Sequence, residues 1–323
     1  MPTHWPPTFS NSPHRPPCRS PPASAPVGVG DYVFLMGETL RIEELDVSFG
    51  AHIHDVALGS LSSGTFASIR EALLEYGFLV FPGQHISLDE QNAFAAMFGP
   101  LEFPAAAITN IDDNGEVLSD EGHDTVKSIR GNEGWHHDST YMPVQAFGAV
   151  VSAEVVPPDK APTGFADMRA AFADLDDDTK TMLRGLTAKH SLYYSQGRSG
   201  YLPTPNDDGS YAMYGYHDKP VPVRPMVKVH PETGVENLLV GRHAHEVSGL
   251  SDDESVALVD RINEAACTDD RVHYHQWEVG DVVVWDNRRL MHRATEFDLS
   301  NPRRIWHTRI AGSDETELAD NYR

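Results

Sequence analysis

The apolar residues of this chain recur with two different spacings. Across residues 61–76 they return every three or four positions (Phe66, Ile69, Leu73, Leu74) and stop at Gly77. That spacing predicts a helix with one buried face, closed by the residue that most easily takes a left-handed cap. Phe78-Leu79-Val80-Phe81 is instead an unbroken apolar run ended by Pro82-Gly83, as expected of a short buried strand and a turn. Residues 88–99 read as a second helix, residues 168–173 and 177–186 as two more, and residues 251–266 as an acidic helix with Val256, Leu258, Val259 and Ile262 on its apolar side. Strands are expected at residues 41–47, 147–156, 227–229, 237–240, 272–275 and 282–285. Residues 197–222 are rich in Gly, Pro, Tyr and Asp and read as part of an insertion or lid around residues 190–222. Helices early and short strands throughout suggest a mainly β core with flanking helices.

The N-terminal segment differs in kind. Residues 1–30 hold nine of the 23 prolines. Such a segment buries too little apolar area to offset its ordering entropy, so residues 1–35 are expected to be a disordered Pro-rich extension. A transit-like leader is the other reading, since Arg15 and Arg19 occur with several Ser and no acidic residue before Asp31. Met36 would be a sensible start for the folded domain, residues 36–323.

Charge narrows the function. The net charge of −23 argues against a nucleic-acid backbone or an anionic membrane as partner. No stretch approaches the ~20 apolar residues of a membrane span. Cys18 and Cys267 are the only cysteines, too few for a disulfide framework, so a reducing cytoplasm is the expected compartment. A small-molecule substrate is the expected partner, and a homo-oligomer stays open.

Candidate chemistry sits in two places. Trp135-His136-His137-Asp138 offers an imidazole and a carboxylate two positions apart, which a strand or strand end would turn to one face. His292, after the apolar run 282–285, offers a second imidazole. Two His and one carboxylate leave positions on a metal open, the arrangement of non-haem Fe(II) oxygenases. A zinc hydrolase uses the same ligand types, and ordinary hydrogen bonds at a strand end are the plainer reading.

Six blocks carry a resemblance: Gly77 to Gln84, Phe98 to Leu101, Trp135 to Asp138, Val229 to Gly234, Leu239 to His245 and Gly280 to Arg288, closed by His292-Arg293-Ala294-Thr295. In order and spacing the chain resembles the Fe(II)/2-oxoglutarate dioxygenases of the taurine dioxygenase and 2,4-dichlorophenoxyacetate dioxygenase superfamily. The resemblance implies a double-stranded β-helix, or jelly roll, with Fe(II) held by His136, Asp138 and His292. It implies 2-oxoglutarate and O₂ as cosubstrates, succinate and CO₂ as products, and Thr163 as a contact to 2-oxoglutarate. The family grips the far carboxylate with an arginine on the last core strand. Here strand alternation puts Arg303, Ile305, His307 and Arg309 on one face. Arg309 is the expected anchor with Arg303 beside it, His307 is the rival, and simple balancing of an acidic surface is the plainer reading.

Tyr141 to Gln145, Gly241 to His245 and Trp306 to Gly312 look like the branch acting on aryloxyalkanoates such as phenoxypropionates. That branch cleaves an ether after hydroxylating the carbon beside it. A sulfonate, an alkyl sulfate, or a terpenoid or other secondary metabolite would suit the same chemistry. A non-enzymatic jelly-roll binding protein is opposed by the intact ligand set. Lys127, Arg130, Arg198 and Arg242 are candidate clamps for an anionic substrate. Tyr193, Tyr194, Tyr201, Tyr211, Tyr214 and Tyr216 lie in or beside the lid, suiting an aromatic ligand or simply a half-exposed loop.

Overall fold

The computed structural model describes residues 39–211 and 213–323 and the backbone of a two-residue strand, Tyr32–Val33. The rest of the expected extension 1–35, Cys18 and Met36 lie outside the described residues.

Local sequence sets the helix ends. Ser62 caps the helix Ser63–Tyr76 by accepting from the Thr65 amide, and Gly77 closes it at φ +73°. Ser87 with Glu90 and Ser251 with Glu254 form capping boxes ahead of Leu88–Ala96 and Asp252–Ala266. No helix among the described residues is long and apolar enough to cross a membrane.

Two sheets face each other across an apolar layer. The larger runs in the order Tyr32–Val33, Leu40–Glu44, Ala51–His54, Phe78–Phe81, Val282–Asp286, Gly148–Val155, Arg304–Ile310, Leu101–Thr109. Its pairs are antiparallel except that of Ala51–His54 with Phe78–Phe81, which the helix Ser63–Tyr76 connects as a parallel crossover. The smaller sheet has Thr163–Asp167 between Val272–His275 and Leu290–Ala294. Alternation along Val282–Asp286 decides the layers. Val282 and Val284 join Ile69, Leu73 and Phe94 beneath the first two helices, while Val283 and Trp285 point inward to Phe78, Phe165 and Trp277 between the sheets. The outer side of the smaller sheet is covered by Met168, Leu258 and Ile262 from the later helices. This is the expected jelly roll.

The sequence expectation misses Leu101–Thr109, Asp124–Gly131, Thr163–Asp167 and Leu192–Ser199. Pro104 and three consecutive alanines disguise Leu101–Thr109. The structure places it at the sheet edge, where a missing N–H is tolerated.

Candidate metal centre and cavity

His292 lies on the inner strand Leu290–Ala294. The His136 amide donates to the His292 carbonyl (3.0 Å) and the His292 amide returns the bond to the His136 carbonyl (2.8 Å). This single bridge brings the two imidazole centres to 4.3 Å. Of the two expectations, a strand or a strand end, it fits the second. The chain turns immediately after the bridge, with Ser139 at φ +55°. Asn287 holds that turn: its Oδ1 accepts from the Asp138 amide (2.7 Å) and its Nδ2 donates to the Asp138 carbonyl (3.0 Å). A non-glycine residue at positive φ beside such a cluster marks a site where neighbours impose the backbone shape. His137 turns away and bonds the Asn287 carbonyl through Nδ1 (2.8 Å).

His136, Asp138 and His292 each offer a ligand atom within 4.8 Å of the other two. His136 Nδ1 pairs with the Gly134 carbonyl at 2.7 Å, which fixes the ring and leaves Nε2 for a metal. Burial holds both imidazoles neutral, pushing His136 well below its usual value and His292 down to about 4. Burial, the largest single influence, would raise Asp138, but Arg309, His292 and His307 together outweigh it and hold the carboxyl well below the usual range. Asp138 Oδ1 accepts from Arg309 Nη2 (2.9 Å), whereas the buried Oδ2 makes no hydrogen bond and has His307 Nε2 as a neighbour at 3.3 Å. Two neutral rings and a carboxylate oxygen with an unused lone pair are what a divalent cation requires.

Beside this cluster opens a cavity of about 420 Å³ between the sheets. Arg303, Ile305, His307 and Arg309 all line it, while Arg304 turns outward to Glu154 (3.3 Å). Thr163 also lines it, its hydroxyl accepting from Trp277 Nε1 at 3.0 Å. The two arginines are in different states. Arg309 is engaged by Asp138 and by Ser139 Oγ (3.1 Å); burial alone would lower its pKa, but Asp138, Tyr141, Glu102 and Tyr214 together hold it above the usual value. Arg303 forms no ion pair with a described carboxylate, its Nε has no partner, and burial lowers it to about 10.

Of the four clamp candidates, three do not line the cavity. Lys127 pairs with Asp124 (3.1 Å), Arg130 with Glu133 (2.9 Å) and Arg198 with Asp260 (2.6 Å). Arg242 does line it, bonds Gln196 Oε1 (2.9 Å), leaves Nε unpartnered and is lowered by burial to about 10. Gly241 permits this placement at φ +111°, where a Cβ would stand 3.1 Å from the Trp135 carbonyl and 3.2 Å from His136 Cα. Phe103, Ile108, Tyr141, Leu192, Tyr214 and Tyr216 supply an apolar and aromatic wall. Phe103 and Ile108 were missed because their strand was missed, and Leu192 and Gln196 because their helix was.

Residues 41–311 match the family described as taurine catabolism dioxygenase TauD, TfdA family. The chain belongs to this family. It is accordingly a 2-oxoglutarate-dependent dioxygenase. The dioxygenase is 49% identical to the (S)-phenoxypropionate/alpha-ketoglutarate-dioxygenase of Sphingobium herbicidovorans, over 88% of this chain and 99% of that one. It is 34% identical to the alpha-ketoglutarate-dependent 2,4-dichlorophenoxyacetate dioxygenase of Cupriavidus pinatubonensis, over 80% and 92%. Among solved structures it is similar to AAD-2 in complex with Mn(II) and N-oxalylglycine, with TM-score 0.79 and 32% identity over 86% and 99% of the two chains.

Proposed function

We propose that this dioxygenase hydroxylates a 2-aryloxyalkanoate, and that two unpaired arginines in one cavity divide the recognition of two carboxylates. His136, Asp138 and His292 hold Fe(II), which supplies O₂ activation coupled to decarboxylation of 2-oxoglutarate to succinate and CO₂. Arg303 and Thr163 bind the far carboxylate of 2-oxoglutarate. This moves the anchor from Arg309, the residue favoured by sequence, because the Arg309 guanidinium is already taken by Asp138. Arg309 instead fixes the Asp138 carboxylate and keeps it ionised. Arg242 clamps the substrate carboxylate, and the aromatic wall takes the aryl ring and excludes water. Residues 190–222 serve as the lid, since Leu192, Gln196, Met213, Tyr214 and Tyr216 all face the cavity. Hydroxylation of the carbon beside the ether oxygen gives a hemiketal, which collapses to a phenol and a 2-oxo acid.

The observation that carries this reading is the pair Arg242 and Arg303. In a chain of net charge −23, two cavity-lining guanidiniums without an ion pair to a described carboxylate are matched by ligands with carboxylates. The relatives support the class of ligand. A panel of aryloxypropionates, alkyl sulfates, sulfonates and terpenoid acids, assayed for substrate-stimulated succinate release, tests it. Aryloxypropionates are expected to stimulate most and to release one phenol per succinate. A sulfate or sulfonate that exceeds them by tenfold or more in kcat/KM would overturn the reading.

A further inference from the structure

A second cluster of imidazole and carboxylate side chains lies toward the other edge of the larger sheet. Leu40–Glu44 and Ala51–His54 pair antiparallel, with Glu43 opposite His52 and Arg41 opposite His54. Leu40, Ile42, Ala51 and Ile53 point into the helix-covered core. The same alternation therefore gathers Arg41, Glu43, His52 and His54 on the opposite face. There His54 Nε2 stands 2.9 Å from Glu43 Oε2, and the two imidazole centres are 6.0 Å apart. One ligand atom from each of Glu43, His52 and His54 lies within 4.8 Å of the other two. Ligands on a single Zn²⁺ at about 2.0–2.1 Å stand roughly 3–4 Å from one another, so side-chain rotation without backbone movement closes the set. Arg41, which would repel a cation, is drawn aside to Asp55 at 3.3 Å. Burial lowers His52, favouring the neutral ligand form, and Glu43 and Asp281 oppose that while His275 and His54 add to it. None of the three residues lines the catalytic cavity.

We propose that Glu43, His52 and His54 form a second divalent-metal site, distinct from the catalytic centre and suited to Zn²⁺ or a similar borderline cation. Two imidazoles and one carboxylate exclude Ca²⁺ and Mg²⁺, which take oxygen ligands, and bind Fe(II) less tightly than the later divalent metals. Solvent completes the coordination, because Glu43 is exposed and the histidines half-buried. The ion cross-links two neighbouring strands and stabilises their pairing by mass action, without entering turnover.

The test is an equilibrium titration of the full chain with Zn²⁺ against a chromophoric chelator. The wild type is expected to bind two equivalents. His54→Ala and His52→Ala are each expected to bind one, with turnover on Fe(II) unchanged. Glu43→Gln should weaken one equivalent by roughly tenfold or more, a loss that even indirect ligand partners reach. His292→Ala, crippled at the catalytic centre, should keep one equivalent at this site and gain melting temperature with Zn²⁺. A wild type that binds a single equivalent, or a second equivalent that survives both histidine variants, would overturn the proposal.

Discussion

Asp138 uses its two oxygens differently: Oδ1 receives the Arg309 guanidinium, and the buried Oδ2 makes no hydrogen bond, with His307 Nε2 3.3 Å away. That division lets a carboxylate be ionised, oriented and still available. His190 shows the opposite condition. It is fully buried, neither ring nitrogen has a hydrogen-bond partner, and burial pushes its pKa well below the usual value, with the Arg224 charge adding to this. In the unfolded chain it titrates near 6.5. Below that pH the unfolded chain takes up a proton that the folded chain refuses, so stability present above about pH 6.5 is lost as pH falls toward the lower folded value. Urea unfolding at pH 7 and pH 5 should therefore show a smaller acid loss for His190→Leu than for the wild type. Parallel losses would mean that His190 contributes nothing to the acid limb.

At the scale of elements, the loop at Gly241 ties Arg242, the proposed substrate clamp, to the backbone beside His136. The Arg242 amide donates to the Trp135 carbonyl at 2.8 Å, one residue before His136. Gly241→Ala adds a Cβ against backbone that cannot move without moving a ligand. A loss of about 1–3 kcal/mol in stability is expected, together with weaker Fe(II) binding. Gly249 is the control: it has φ +78° but nothing within 4 Å of its added Cβ. Gly249→Ala should therefore carry only the backbone cost and keep full metal affinity. Equal metal loss in both variants would show that the Gly241 contact does not matter. These two glycines look alike in sequence, which marks where sequence reading stops. The helices at Ser63–Tyr76 and Asp252–Ala266 are legible because apolar spacing and Ser caps agree. The strand Val282–Asp286 is legible because a buried central strand needs an unbroken apolar run. The spacing of His136 and Asp138 was legible, but not the turn between His136 and Ser139, since Asn287 imposes it from far along the chain. Arg242 could not be separated from Arg198 by sequence, because the carboxylate that occupies Arg198, Asp260, is itself distant.

Across the whole molecule, the two sheets carry different parts of the site. The smaller sheet supplies Thr163 and His292, and the larger supplies His307 and Arg309 on the strand that Arg303 leads into. The cavity between them is lined by Arg242, Arg303 and Arg309, a local excess of cations in a chain of net charge −23 whose overall field acts on solubility. The central claim is that Arg303 and Arg242 read different carboxylates. Steady-state kinetics of Arg303→Ala and Arg242→Ala, with 2-oxoglutarate and an aryloxypropionate each varied in turn, tests it most directly. A charge-assisted contact is worth about 1.5–3 kcal/mol, and roughly 1.4 kcal/mol is tenfold. Arg303→Ala should raise the KM for 2-oxoglutarate by roughly tenfold to a hundredfold and leave that for the aryloxypropionate nearly unchanged, and Arg242→Ala should do the reverse. If Arg303→Ala leaves the 2-oxoglutarate KM untouched while Arg309→Ala raises it, or if Arg242→Ala leaves the aryloxypropionate KM untouched, the division of the two carboxylates is contradicted.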